Sequence, residues 1–164
     1  MTNDPARAVR DVLDEFGIRY ERHDHPPVFT VEEAVVHWRD IDATHCKNLF
    51  LRNKKGNRHY LVVAEHTRPV DLQRLVTLIG DDRLSFASPD RLMRYLGLEP
   101  GSVSPFGLIN DPDRHVQVVV DSGLKQCRRV GFHPNVNTST LVVAFEDFER
   151  FLTRSGHVVR YVAL

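Results

Sequence analysis

Cysteine is scarce in this sequence, since Cys46 and Cys127 are the only two among 164 residues. Two isolated cysteines make neither a disulfide framework nor a Cys-x-x-Cys metal pair. We therefore expect both to be reduced thiols, as is usual in a reducing compartment. This scarcity excludes a small secreted scaffold held together by disulfides and a cysteine-rich zinc module.

Long apolar runs are absent as well. No stretch approaches the roughly 18 apolar residues that a membrane-spanning helix needs. Residues 1–5 show no basic segment leading into an apolar one, which is the pattern of a signal peptide. We therefore expect a cytoplasmic protein that has no membrane partner.

An excess of charge of one sign is also lacking, because the 22 basic and 22 acidic residues cancel to a net charge of +0. Net charge therefore gives no indication of nucleic-acid binding. Only four of the 22 basic residues are lysine; the planar fork of arginine suits phosphates, but the same bias can come from genome composition. With 41% hydrophobic and 27% charged residues, we expect one globular domain over residues 1–164.

Hydrophobic periodicity and turn residues predict helices and strands in alternation. Helices are predicted over residues 5–16, 31–38, 69–79, 91–96 and 146–153, and strands over 18–23, 47–52, 59–64, 84–86, 116–121, 138–144 and 157–162. Because a hairpin turn at 53–57 accompanies this alternation, we expect an α/β fold of the α+β kind. This fold is a single domain with a mixed, mostly antiparallel sheet flanked by helices.

Two segments are predicted to be irregular. Residues 97–107 contain three glycines and two prolines in eleven positions, which argues against regular structure and suggests a functional loop. Residues 131–137, with His133 before a proline, are predicted to form a turn. His25, followed by two prolines, is also assigned to a turn rather than to a metal site.

The stretch around Lys47 poses a physical problem. The two-residue period of a strand places Lys47 on the same face as Leu49 and Leu51, with Asn48 and Phe50 on the other. An ammonium among leucines is costly unless it reaches water or an anion. Either Lys47 reaches the surface at the strand's end, or this face opens into a cavity that holds a phosphate or an ester. The same alternation turns Cys46 away from Lys47, so Cys46 is not taken as a nucleophile.

Three stretches in this order resemble the YbaK-like superfamily, which includes the editing insertion of bacterial prolyl-tRNA synthetases. The stretches are residues 45–52 with their Lys-Asn pair, Gly101-Ser-Val-Ser-Pro105, and Gly131-Phe-His-Pro-Asn135. The longer runs 123–126 and 131–141 are similar to its branch of freestanding Ala-tRNA(Pro) deacylases. The resemblance implies a YbaK-like fold and the hydrolysis of alanine wrongly esterified to tRNA(Pro).

The resemblance also implies roles for particular residues. Lys47 and Asn48 would contact the terminal adenosine and its phosphate. The Gly-x-x-x-Pro loop would offer backbone groups to the ester and the attacking water, while His133 would shape the site. The candidate catalytic residues are thus Lys47, Gly101 and His133, and the candidate substrate-binding residues are Asn48, Ser102, Pro105, Pro134 and Asn135. An activated ester needs positioning and oxyanion stabilisation more than a strong nucleophile, so a water activated by the ribose hydroxyl fits better than a protein triad. No metal or cofactor is implied.

The expected partner is the acceptor end of a tRNA(Pro) that carries a wrong amino acid, with transient association with prolyl-tRNA synthetase as a further hypothesis. A monomer or weak dimer is expected. Alternatives stay open: a deacylase of Cys-tRNA(Pro) or of another aminoacyl-tRNA, or a non-catalytic tRNA-binding or regulatory module. The non-catalytic module would bind tRNA through the basic hairpin residues Lys54, Lys55 and Arg58 and through the pair Arg128-Arg129. A metal-dependent hydrolase lacks suitable ligand spacing.

Overall fold

The computed structural model describes residues 4–164, so the first three residues of the predicted domain lie outside the described residues. The strands are β1 (Glu21–Asp24), β2 (Thr44–Arg52), β3 (His59–Glu65), β4 (Ser85–Phe86), β5 (Val116–Asp121), β6 (Arg129–Phe132), β7 (Ser139–Ala144) and β8 (Val159–Val162). The α-helices are α1 (Pro5–Glu15), α2 (Val31–Trp38), α3 (Leu72–Ile79), α4 (Pro89–Leu96) and α5 (Phe145–Ser155), and 3-10 helices cover Pro105–Asn110 and Ser122–Gln126. None of the described helices combines the length and apolar character that a membrane crossing needs.

The strands form one mixed sheet in the order β1-β7-β6-β2-β3-β5-β8, with β4 paired to β2. Four of the seven pairings are antiparallel and three are parallel. Strand β5 is buried at five of its six positions, as expected for an apolar strand covered on both faces. The predicted fold class, a single domain with a mixed sheet flanked by helices, is confirmed.

Capping residues set where the helices begin. Asp4 accepts hydrogen bonds from the backbone N–H groups of Ala6 and Arg7 ahead of α1. Helix α3 begins at Leu72 rather than at Pro69 as predicted, because the Asp71 side chain accepts from the first free N–H groups of that helix.

Each face of the sheet packs against its own hydrophobic core. One core joins Phe50 of β2 to residues of α1, α4 and α5. The other joins Leu51 of β2 to Leu75 and Ile79 of α3, with Leu49 packed at its edge. The predicted separation of Phe50 from Leu49 and Leu51 is therefore confirmed.

The predictions for the two irregular segments were partly wrong. Gly131 and Phe132 were expected in a turn but lie in β6, which exists because β2 and β7 pair with it from distant parts of the chain. Residues 105–107 were expected to be irregular but begin a 3-10 helix, since proline fixes a helical φ and the Ser104 hydroxyl accepts from the Phe106 N–H.

The sheet is split beside β2. Strand β6 pairs with β2 at Thr44 and His45, and β4 pairs with it at Leu51 and Arg52. Between these two ladders, residues 46–50 of β2 have a partner strand, β3, on one side only. The other edge of β2 therefore faces an opening in the sheet, and this opening positions the site.

Candidate functional site

A cavity of about 240 Å³ fills the opening beside β2. Its walls come from the β1–α2 loop and α2, from the middle of β2, from the loop after α4, and from the end of β6 with Thr140 of β7. Lys47, Asn48, Gly101 and His133 all line it. Three stretches that are far apart in the sequence thus meet at one cavity.

Four other candidate residues lie off the cavity wall, and contacts explain what they do instead. The Ser102 N–H donates to the Glu99 carbonyl within its loop at 3.1 Å, and Pro105 starts a 3-10 helix. Asn135 follows the buried Pro134, adopts a left-handed φ of 63° and donates from Nδ2 to the Phe106 carbonyl at 3.3 Å. These residues brace the two loops that carry Gly101 and His133.

Lys47 is half-buried on the cavity wall. Within residues 4–164 its ammonium group makes neither a hydrogen bond nor an ion pair with another side chain or carbonyl. A positive group that is left without a protein partner in a concave site is suited to a phosphate or to another anion.

His133 is held in one orientation. Its Nδ1 lies 2.8 Å from the Ser139 carbonyl oxygen, and because a carbonyl only accepts, Nδ1 carries the hydrogen. Burial lowers the pKa of His133 below its ordinary value, and the nearby His25 lowers it further, against the opposing effect of the Ser139 carbonyl. The ring is therefore neutral at pH 7, with Nε2 as an acceptor.

The Gly101 loop is tied to β2 by Asn48, whose Nδ2 donates to the Val103 carbonyl at 3.4 Å. Gly101 has a φ of 89°, and a Cβ at this position would stand 3.4 Å from the Phe29 ring. The left-handed φ favours glycine, whereas the 3.4 Å distance is an ordinary van der Waals contact. The N–H groups of Gly101 and Val103 donate to no other described residue, so they are candidate donors to an oxyanion.

Cys46 lines the same cavity, although it packs in the core that contains Phe50 and so lies on the face of β2 opposite Lys47, as predicted. The cavity lies at the open edge of β2 and therefore reaches side chains from both faces of the strand. The thiol is nonetheless 6% exposed, and burial raises its pKa far above the ordinary range. A thiol that stays protonated is a poor nucleophile.

Sequence reasoning missed His25. The chain brings it from the predicted turn to a place behind the cavity wall, where its Nε2 lies 2.9 Å from the Oγ1 of Thr140, a residue that lines the cavity. The ring also stacks on His37 at 5.4 Å and lies 5.8 Å from His133. Partners so distant in the sequence leave no local signal. Among residues 4–164 no group of three or more His, Cys, Asp or Glu side chains is placed to hold a metal ion.

The model of one protein family, the aminoacyl-tRNA editing domain, matches residues 25–151. This match covers most of the chain, including all the segments that build the cavity, and the chain belongs to this family. Editing domains remove a wrong amino acid by hydrolysing its ester bond to tRNA. The predicted class of enzyme, an aminoacyl-tRNA deacylase, is therefore confirmed.

Individual relatives agree with this membership. The chain is 43% identical over 165 residues to the prolyl-tRNA editing protein ProX of Acetoanaerobium sticklandii, with 100% of both chains covered. It is 35% identical to the prolyl-tRNA synthetase associated domain-containing protein 1 of Bos taurus, over 92% of this chain and 90% of that one. A solved structure described as a candidate trans-editing enzyme for prolyl-tRNA synthetase has the same fold, with a TM-score of 0.75 at 20% identity over 100% of this chain and 99% of the other.

Proposed function

We propose that this chain is a trans-editing hydrolase that removes alanine from mischarged tRNA(Pro) in the cytoplasm. The observation that carries the proposal is the single cavity where Lys47, Gly101 and His133 meet. The name of the 43% identical relative, a prolyl-tRNA editing protein, supports the choice of tRNA(Pro).

The size of the cavity supports a small acyl group. At about 240 Å³ it lies below the roughly 300–1,000 Å³ of sites that enclose drug-sized ligands. Its wall includes the apolar side chains of Ala34, Leu49 and Val103, which suit a methyl side chain. A narrow apolar wall excludes larger side chains more strongly than it discriminates among small ones, so serine and cysteine esters are the closest competitors.

The proposed chemistry needs no covalent intermediate. A water molecule attacks the carbonyl carbon of the alanyl ester, and the bond from that carbon to the ribose oxygen breaks. One proton of the water ends on the ribose oxygen, the other is released to solvent, and alanine leaves as its carboxylate. The neighbouring ribose hydroxyl holds the water, so the substrate itself helps to activate the nucleophile.

The cavity residues then have separable roles. Lys47 binds a phosphate at the 3′ end of the tRNA. The N–H groups of Gly101 and Val103 stabilise the negative charge that develops on the carbonyl oxygen. His133 accepts a hydrogen bond through Nε2 from the substrate or from the attacking water. Transient association with prolyl-tRNA synthetase would let this protein receive the mischarged tRNA before the synthetase releases it.

A panel of esters tests the proposal. Alanyl-, seryl-, cysteinyl- and prolyl-tRNA(Pro), together with alanyl-tRNA(Ala), are each incubated with the folded protein, and loss of the ester is followed over time. We expect alanyl-tRNA(Pro) to be hydrolysed fastest and prolyl-tRNA(Pro) to be spared. Equal loss with and without protein for every ester would reject an enzymatic role. Salt-dependent binding of tRNA without turnover would favour a non-catalytic tRNA-binding module.

A preference for cysteinyl-tRNA(Pro) would keep the reaction class and change the substrate. Cys46 and Val103 both belong to the cavity wall against which the side chain of either ester would lie. The ratio of kcat/KM for the alanyl and cysteinyl esters decides between the two substrates.

A further inference from the structure

Phe29 is the exposed aromatic side chain at the mouth of the cavity. It lies in the loop between β1 and α2, it lines the cavity, and it is 68% exposed. Phe86 on β4 is similarly exposed, at 63%, but it is not part of the cavity wall. Single exposed apolar residues are common on proteins, so the position of Phe29 at the cavity is the feature that requires a reason.

The backbone around Phe29 is held firmly although its ring is free. The Phe29 N–H donates to the Glu33 carboxylate at 3.1 Å. The preceding residue, Val28, is tied to Asn137 twice, by a backbone bond of 3.2 Å and by the Asn137 side chain at 2.9 Å. On the other side, the ring lies beside Gly101, where an added Cβ would stand 3.4 Å from it. These bonds fix the backbone position from which the exposed ring extends beside the Gly101 loop.

The geometry of the substrate places a base near this ring. In an aminoacyl-tRNA, the ester oxygen belongs to the ribose of the terminal adenosine, so the adenine is one sugar away from the reacting carbonyl. With the acyl group inside the cavity at the Gly101 loop, the ribose and then the base extend toward the opening, where the Phe29 ring is exposed.

We propose that Phe29 binds the terminal adenine of the tRNA by stacking on its face, an inference that rests on the proposed function. Aromatic side chains stack with nucleobases in a geometry that needs no hydrogen-bond readout. Lys47 holds the phosphate of the same nucleotide and Gly101 receives the ester, so Phe29 fixes the third point of the terminal nucleotide. Three fixed points leave the ester little freedom to rotate away from the attacking water.

The kinetic test compares variants of the two exposed phenylalanines. Phe29→Ala is expected to raise KM for alanyl-tRNA(Pro) about tenfold, with a smaller change in kcat, and Phe29→Trp is expected to restore wild-type KM. Phe86→Ala is the matched control and should leave both constants unchanged. Unaltered KM in Phe29→Ala, or an equal loss in Phe86→Ala, would overturn the inference.

A binding measurement separates this inference from the proposed reaction. Trp38 is the single tryptophan and lines the cavity, so its fluorescence can report the binding of short RNAs. The trinucleotide CCA should bind wild type several-fold more tightly than CCC, because a purine presents the larger stacking surface. Phe29→Ala should bind the two equally.

The outcomes are distinct. An undiminished preference for CCA in Phe29→Ala would refute stacking even if the ester is hydrolysed. Loss of the preference together with an inactive wild-type protein would support the stacking site and reject the proposed reaction.

Discussion

Two polar clusters in this molecule each contain a histidine, and they differ in which polar atoms they leave without a partner. Away from the cavity wall, Ser155, His157 and Asp111 form a chain that resembles a hydrolase triad. The His157 Nε2 lies 3.0 Å from the Asp111 carboxylate and its Nδ1 lies 3.1 Å from the Ser155 hydroxyl. At the cavity, the Lys47 ammonium and the His133 Nε2 have no hydrogen-bond partner among residues 4–164, although His133 Nδ1 is held by the Ser139 carbonyl.

The difference lies in the hydrogen bonds. The Ser155 hydroxyl also lies 2.7 Å from the Leu152 carbonyl, and because a carbonyl only accepts, the hydroxyl proton points there and not to His157. Asp111 accepts from the Val116 N–H as well, at 2.8 Å. The cluster therefore closes on itself and ties the Asp111 loop to the end of α5. By contrast, the cavity keeps an ammonium and an imidazole nitrogen free for a ligand, which is the property a binding site needs.

The largest expected effect falls on the closed cluster. We expect His157→Ala to lower the free energy of unfolding by about 3 kcal/mol, because a buried carboxylate loses its partner. Urea unfolding followed by circular dichroism measures this change. Deacylation per folded molecule should stay near the wild-type rate. If His157→Ala kept its stability, or if it folded but lost activity, the closed cluster would not have the structural role assigned to it.

A smaller effect is expected at His133. His133→Asn keeps a donor for the Ser139 carbonyl but has no atom in the place of Nε2, so we expect kcat to fall about tenfold with stability preserved. His133→Gln, which carries a polar atom farther out, should retain more activity. If both variants were as active as the wild type, His133 Nε2 would have no role in the proposed reaction.

The pH dependence of the reaction sharpens the same point. Because the pKa of His133 is lowered, the ring stays neutral above about pH 6.5. Activity should therefore be constant from pH 8 to pH 6.5 and should fall only at lower pH, as Nε2 is protonated. An activity that rises as the pH falls below 6.5 would contradict a role for neutral His133.

The smallest effect concerns stability in acid. Burial lowers the pKa of His45 from 6.5 to about 4, whereas the unfolded chain keeps the ordinary value. Between these values the unfolded state binds more protons, so the free energy of unfolding declines as the pH falls, by about 1 kcal/mol at pH 5.5. His45→Phe keeps an aromatic ring against Trp38 and should reduce the slope. Parallel pH profiles for the two proteins would show that His45 does not contribute.

Much of the fold could be predicted from local signals. Asp4 before Pro5, Ser88 before Pro89 and the glycines that follow α3 and α4 mark helix ends by their own backbone chemistry. Strand β6 could not be predicted, because it contains Gly131 and depends on pairing with β2 and β7. Long-range pairing of this kind leaves no periodicity in a short segment.

The candidate site likewise combines residues that the sequence indicates with residues that only the fold brings into place. Lys47, Gly101 and His133 could be singled out from a resemblance carried by their neighbouring residues. The contact between His25 and Thr140 and the place of Phe29 at the cavity mouth depend on how distant segments meet. The place of Cys46 in the cavity wall could not be predicted either, because alternation alone does not show that the sheet is open at this point.

The most direct test of this account is a single-turnover measurement on alanyl-tRNA(Pro) with Lys47→Ala and Ser155→Ala side by side. We predict that Lys47→Ala remains folded and loses rate or affinity by roughly thirtyfold, the usual cost of a lost hydrogen bond to a charged group. Ser155→Ala should hydrolyse the ester at the wild-type rate. The reverse result, an inactive Ser155→Ala and a fully active Lys47→Ala, would place the chemistry in the other cluster and contradict the account.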